Sequence, residues 1–593
     1  MKKKILSILL ASMLIIMAFC SIPVGAEEET RAVSVYTGTE DYDFWDTALE
    51  SDTGEVTIMT ADQLMAFAVL SGSYNFEGWT IKLGADMVIN TGDASTWGTE
   101  APTYTWKCST TWDYRFAGNF DGQGHVVSGL YSKYDQECGL FGTITGGSTI
   151  QNVSVVNSYF EYTANSSSQC FMGSIVGAID PWNSEGKYDG KTTTIKNVYS
   201  NATLYTNCDV APSSTSIGVG GIIGYAGNTS NHSFEIENAV YEGNITSTYR
   251  NTGGLIGSVM IFTSGATNIR SCHVNANIKS NALVNDKTDA AYVGGLIGYL
   301  SHTSLKVDDC IVMGTMEVGE NNKYSSAFIG LVNPCTDSQN ASYRRISAKN
   351  VLLAITPVAT GDNDDVIFQS MLFNHNFSGS ITVTFSNVKY DSSLYSYPAE
   401  MPHINRVGGN SEVTNDDFKA TGATTEELKG QEVFTYWTSV SDAYPIPAGV
   451  DAPVIDMEFY KNAVDVAPST PDGDGGNNDD NGGSNNGSTD NGGSDNGSTD
   501  NGGSNNGSTD NGGSNNSGST DNGGATNNGS NNDSGSDNND GTSNTDTTDN
   551  TPTTDTTSEK TGGCFASVGF AGISLLALVA VATIVISKKK VRN

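Results

Sequence analysis

Gly253-Gly254-Leu255-Ile256-Gly257 and, 41 residues on, Gly294-Gly295-Leu296-Ile297-Gly298 are the same five residues. Outward from this pair, a Gly-apolar-apolar-Gly box recurs as GLFG closing at Gly142, GSIVG at Gly177, GGIIG at Gly224 and a degenerate AFIG at Gly330. Successive closing glycines are 35, 47, 33, 41 and 32 residues apart. After each box, a second element sets two apolar residues three apart: Ile150 and Val153, Ile195 and Val198, Ile236 and Ala239, Ile269 and Cys272, Val307 and Cys310, Ala348 and Val351.

Six two-part units in tandem, with short apolar elements and spacers of variable length, describe a repeat in which each unit buries a face only against its neighbours. The elements are too short for helical repeats. The expected fold is all-β, a right-handed parallel β-helix solenoid with its insertions at outer corners, where lengthening a loop costs little. Glycine suits a corner of positive φ or a backbone packed closely on the next coil. The Asn before the second apolar residue suits left-handed bends or side-chain stacks. In front of the array, Thr60, Gln63 and the stripe Leu64, Phe67 and Ala68 read as a short N-terminal capping helix. Such a helix would cover strand edges that the first rung otherwise presents.

The boxes resemble the GLUG motif of bacterial surface proteins and of some secreted immunoglobulin A peptidases, U being any large apolar residue. The match is close at Gly253 and Gly294 and weaker in GSIVG and AFIG. VTIMTADQLMAFAVLSG with WTIKLGADMVI (56–89), and FAGNFDGQGHVVSGLYS (116–132), resemble the opening of such arrays; TTEELKGQEVFTYW followed by AYPIP (424–447) resembles their close. The resemblance implies a β-helix on a cell surface; it does not imply an activity, since one motif serves many proteins. HExxH, the metallopeptidase signature, is missing.

The flanks suggest an exported, anchored chain. Residues 1–26 join Lys2, Lys3 and Lys4 to an apolar run and Val24-Gly25-Ala26, the pattern of a signal peptide. Cys20 does not make this a lipoprotein signal, because Phe19 stands where a small residue is needed. The expected order is then a leader at 27–55, the ectodomain at 56–450, a connector at 451–466, a disordered stalk at 467–563, a transmembrane helix at 564–587 and a basic cytoplasmic tail at 588–593. The stalk repeats decamers such as NGGSNNGSTD from Asn481 and has too little apolar surface to offset the entropy of ordering it. Its Asp residues lack the apolar partner of nonapeptide calcium repeats. The uncharged run 565–586 is long enough to cross about 30 Å of hydrocarbon, and Lys588, Lys589 and Lys590 keep its far end inside. There is no LPxTG-like motif; Gly562-Gly563-Cys564 stands where a processing site would fall. Between the two basic ends lie 23 bases and 66 acids, a net of -43. That charge repels phosphate backbones and anionic headgroups, so nucleic acid is not an expected partner.

Residues with chemistry are scattered. Asp121-Gly122-Gln123-Gly124-His125 reads as a turn before a strand. His232, His273, His302, His375 and His403 form no zinc pattern. Cys108, Cys138, Cys170, Cys208, Cys272, Cys310 and Cys335 are odd in number and not closely spaced; Cys272 and Cys310 fall at a core position, as apolar plugs or as a bridge between adjacent rungs. Asp308-Asp309, Asp362 with Asp364-Asp365, Asp416-Asp417 and Arg344-Arg345 are the densest charged groups. None recurs in register as paired carboxylates require. No catalytic, metal-binding or cofactor-binding residue is therefore assigned, and the binding residues stay open. Trp97, Trp106, Trp112 and Trp182 can stack on sugars or fill a core. The expected function is a surface-displayed, adhesin-like binding protein whose partner is a glycan or a surface protein of a host or neighbouring cell. A polysaccharide lyase or glycoside hydrolase on the same scaffold, or a structural envelope component, are the alternatives.

Overall fold

A computed structural model of the chain describes residues 31–107, 114–133, 137–164, 169–179, 190–209, 217–228, 232–261, 265–282, 291–301, 304–319, 324–333, 345–358, 371–375, 382–395, 407–408 and 420–467. The expected signal peptide, the stalk beyond Ala467, the membrane helix and the tail lie outside these residues. So do Cys108, Cys335, Cys564, Trp112, Trp182, His302, His403, Arg344, Asp362, Asp364, Asp365, Asp416 and Asp417. Among the described residues no helix is long and apolar enough to cross a membrane.

The chain is mostly β, and its strands pair in parallel over three sheets, of 17, six and eight strands. One pass shows the rule. Asn251–Gly253 lies in the six-stranded sheet, Ile256–Ile261 in the eight-stranded sheet and Ala266–Ser280 in the 17-stranded sheet. The chain then returns to the six-stranded sheet at Tyr292–Gly294, with Gly253 opposite Gly294. Equivalent residues of successive passes thus lie side by side, one strand spacing of about 4.8 Å apart.

Register builds the core. On the long sheet, Val56, Ile81, Phe120, Ile150, Ile195, Ile236, Ile269, Val307, Ala348 and Phe385 follow one another as direct partners. Exposure along this column is 9% at Val56, 8% at Phe385 and no more than 2% between. On the eight-stranded sheet, Phe141, Val176, Ile223, Ile256, Ile297 and Ile329 form the matching column. It continues to Phe373 and Val407, where no glycine box announces a strand.

The box glycines serve close packing rather than backbone bending. A Cβ on Gly221 would sit 2.2 Å from the carbonyl oxygen of Gly254, one on Gly254 2.1 Å from that of Gly295, and one on Gly295 2.1 Å from that of Ala327. None of these three has a positive φ. Positive φ falls instead on Asn152, Asn197, Asn238, Ser271, Asp309, Asn350 and Asn387, all between 49° and 55°, where the long strands turn between the two apolar positions of each pass.

Helix Ala61–Leu70 begins as its sequence suggests: Thr60 Oγ1 accepts from the Gln63 N–H at 3.2 Å. Gln63 Oε1 reaches one residue further back, to the Met59 N–H at 2.8 Å. The helix buries Leu64 and Phe67, with the Phe67 ring against Phe116, Phe120 and Phe141.

The folded body extends past both of the boundaries expected at 56 and 450. Val33–Val35 pairs with Asp86–Val88, and Trp45 on helix Tyr42–Ser51 is fully buried. At the other end, segment 424–466 returns across the outer face of the long sheet. Its residues Leu428, Phe434 and Trp437 cover Ile311 and Leu352, Tyr460 and Ala463 cover Val88, Val126, Val156 and Val240, and Val466 bridges back to Val33. The physical reason is that parallel sheets bury both faces, and here the outer face carries an apolar stripe. Each large side chain buried there contributes roughly 1.5–3 kcal/mol.

Replacing Gly254 by Ala drives a methyl into the Gly295 carbonyl, and we expect a loss of about 1–3 kcal/mol in urea denaturation, the range for overpacked cores.

Candidate functional site

The left-handed residues point their side chains outward in one line, and their amides join. Asn197 Nδ2 donates to Asn152 Oδ1 at 2.8 Å, and Asn238 Nδ2 donates to Asn197 Oδ1 at 3.0 Å. At the upper end Asn152 Nδ2 donates to Asp121 Oδ1 at 2.9 Å. At the lower end Asn238 Oδ1 accepts from the backbone N–H of Asp451 at 2.8 Å. Ser271 interrupts the line; it resumes as Asn350 Nδ2 to Asp309 Oδ1 at 2.9 Å and Asn387 Nδ2 to Asn350 Oδ1 at 3.1 Å.

Where segment 424–466 crosses the upper ladder, a cleft of about 650 Å³ remains between them. Lys82, Asp121, Gln123, Asn152, Asn197 and Asn238 line its ladder side, Ser154 and Tyr199 its floor, and Asp451 and Pro453 the crossing segment. Its cause is local. Ser154 stands in the outward column between Val126 and Tyr199, where a small polar side chain leaves the apolar stripe unfilled.

Two buried carboxylates hold the crossing segment. Asp86, fully buried, accepts from the Tyr460 hydroxyl at 2.8 Å, from the Val126 N–H at 3.0 Å and, on the same oxygen, meets His125 Nδ1 at 2.9 Å; Arg31 lies 3.2 Å away. Asp391, also fully buried, accepts from the Tyr444 hydroxyl at 2.5 Å and Thr425 Oγ1 at 2.6 Å. Burial pushes the Asp86 carboxyl upward, but His125, the Val126 N–H, Tyr460 and Arg31 outweigh it and hold the group below the usual carboxylate range. Asp121 shows the same balance: burial opposes ionisation, while Asn152, the Gln123 N–H, Gln151 and Lys82 hold it low. Both of its oxygens are already occupied, Oδ2 by Gln151 Nε2 at 2.9 Å.

The residues singled out from sequence fall as follows. Asp121 and Gln123 line the cleft, whereas His125 belongs to the Asp86 anchor. His273 sits between Val240 and Ile311 in the outward column; burial holds its imidazole below the ordinary value. His232 is fully buried, 2.8 Å from Thr193 Oγ1. Trp97 and Trp106 are 4% and 1% exposed, and Trp106 donates to the Gly139 carbonyl, so both fill the fold and do not offer open stacking faces. Asp308 pairs with Lys306, while Asp309 accepts from Asn350 and from Trp437 Nε1. Cys272 and Cys310 face each other on adjacent rungs as free, buried thiols, so no bridge joins them. Burial, then the neighbouring Cys272, pushes the Cys310 thiol well up. Among the described residues no group of three or more His, Cys, Asp or Glu is placed to hold a metal ion.

No family model matches the chain, and no curated protein matches it. Among solved structures it is similar to one titled "Crystal structure of a putative immunoglobulin A1 protease from Bacteroides ovatus", at 16% identity and a TM-score of 0.36, over 68% of this chain and 94% of that one.

Two outcomes follow. A depressed carboxyl stabilises the fold at pH values above its unfolded value, about 3.9, and that stabilisation is lost as pH falls through the folded value. The thermal midpoint should therefore stay level from neutral pH to about 5 and drop steeply below about 4. Asp86→Asn should lower the neutral midpoint and flatten that drop; an unchanged acid limb would remove Asp86 as an anchor. Peptide mapping after alkylation of the denatured, unreduced protein should find Cys272 and Cys310 both alkylated.

Proposed function

We propose that the chain is an exported surface protein of GLUG type whose right-handed parallel β-helix, capped by helix Ala61–Leu70, binds a glycan in the amide-lined cleft. The cleft itself carries this reading. Its volume lies within the roughly 300–1,000 Å³ usual for ligand sites. Its walls offer amide and hydroxyl groups, which both donate and accept as sugar hydroxyls do. Tyr199 and Pro453 add apolar faces against which sugar C–H groups pack. In this reading the acidic stalk and the apolar run at 564–587 hold the body clear of the membrane.

Binding is favoured over hydrolysis by the state of the carboxylates. Two-carboxylate hydrolysis needs one acid to donate a proton and a second carboxylate free to act as base or nucleophile. Asp121 has both oxygens committed to amides and is free for neither part. On a broad glycan array the protein should retain a defined subset of glycans. Ser154→Phe, which extends the apolar column into the cleft, should weaken that binding at least tenfold with the thermal midpoint kept within a few degrees. Retention of no glycan, or equal retention by the variant, would remove the cleft as the site.

A further inference from the structure

We infer that the cleft is a track for one extended, neutral, β-1,4-linked polysaccharide chain lying along the rung stack, with about one sugar to each rung. This rests on the reading of the cleft as a glycan site and adds the ligand's class and direction. Direction comes from the lining. Lys82, Asp121, Asn152, Asn197 and Asn238 belong to five successive strands of the long sheet, Thr80–Leu83, Asn119–Ser128, Thr149–Val156, Thr192–Ser200 and Ser233–Tyr241. Five strands at about 4.8 Å spacing make the cleft about 19 Å long. A volume of about 650 Å³ over that length is a groove roughly one polymer chain wide.

Period comes from the ladder. A side-chain amide has two N–H donors and an oxygen with two lone pairs. In the ladder each of Asn152, Asn197 and Asn238 commits one donor and accepts once. One donor and one lone pair are left over on each of these three rungs, repeating at the strand spacing. In an extended β-1,4 pyranose chain the rise per sugar is close to that spacing and each sugar is turned over relative to the last, so the same edge returns every second rung and alternate sugars meet the same pair of groups. An extended peptide, at about 3.3 Å per residue, drifts out of step within a few rungs.

Charge selects against acidic chains. Among the described residues Lys82 is the sole cation lining the cleft, and it is paired with Glu55 at 2.6 Å. Asp121 and Asp451 line the same space, and the chain carries a net charge of -36. A polyuronate would enter against this field.

The test is calorimetric titration of the full chain with cello- and chito-oligosaccharides of two to six residues, and with oligogalacturonate of matched length. Affinity in at least one neutral series should rise tenfold or more between two and four residues and level off near five, with oligogalacturonate at least tenfold weaker. Asn197→Gly keeps the left-handed backbone and removes the central amide with its two ladder bonds; it should weaken the five-residue ligand at least tenfold while the thermal midpoint falls by only a few degrees and the protein stays folded at the assay temperature. Binding that is independent of length would overturn the track while leaving a glycan site in place. Tighter binding of oligogalacturonate would overturn the neutral class. Binding of no glycan of any length would remove the underlying reading as well.

Discussion

A carbonyl oxygen occupying the place of a side chain is the constraint on which the structure depends. At Gly221, Gly254 and Gly295, on three successive passes, the next pass approaches so closely that no Cβ fits, while Ser174 and Ala327 hold the same place on the passes either side. The contact keys these central passes to one another. In a parallel sheet a slip of one residue would exchange the inward and outward faces of a strand. With the key in place, Ile150, Ile195, Ile236 and Ile269 meet inside, and Asn152, Asn197 and Asn238 meet outside. Core and amide ladder are two products of one register.

The second constraint is that the long sheet has two apolar faces. Val126, Val240, Ile311 and Leu352 point away from the core and would meet water without a cover. Segment 424–466 supplies it with short apolar runs pinned by polar contacts: Tyr444 on Asp391, the Asp451 N–H on Asn238 and Tyr460 on Asp86. The buried carboxylates are each surrounded by donors, which is what makes their burial tolerable. The cleft arises where this cover spans a break in the stripe, at Ser154.

Much of this was legible in the chain. The box spacing and the apolar pairs three apart predict stacked passes, and the partners in the sheets are those pairs. Asn before the second apolar residue predicts a left-handed bend, and every such Asn has one. The role of glycine divided differently: close approach falls to the boxes and bending to the Asn column, because an Asn at the bend can also bond to the next Asn. The cover was harder to see. AYPIP and VIDMEFY lack the length or period of a core element. The overlooked signal lay in the sheet, where Cys310-Ile311-Val312 and Val351-Leu352-Leu353 are unbroken apolar runs of the kind found in strands buried on both faces. The cleft had no local signature at all. Its residues lie up to 371 positions apart, between Lys82 and Pro453, and singly each reads as a turn or a solvated side chain.

The bridge between Val466 and Val33 has a mechanical consequence. It brings the last described strand contact beside the first, so a pull on the chain beyond residue 467 is not delivered to the final rungs. Tension meets first the paired Val466 and Val33 N–H groups, the Asp465 carboxylate on Val35 and the Tyr460 hydroxyl on Asp86. The stacked passes cannot be unzipped one at a time until those bonds have broken, and resistance to stretching is governed by that junction and not by the weakest coil.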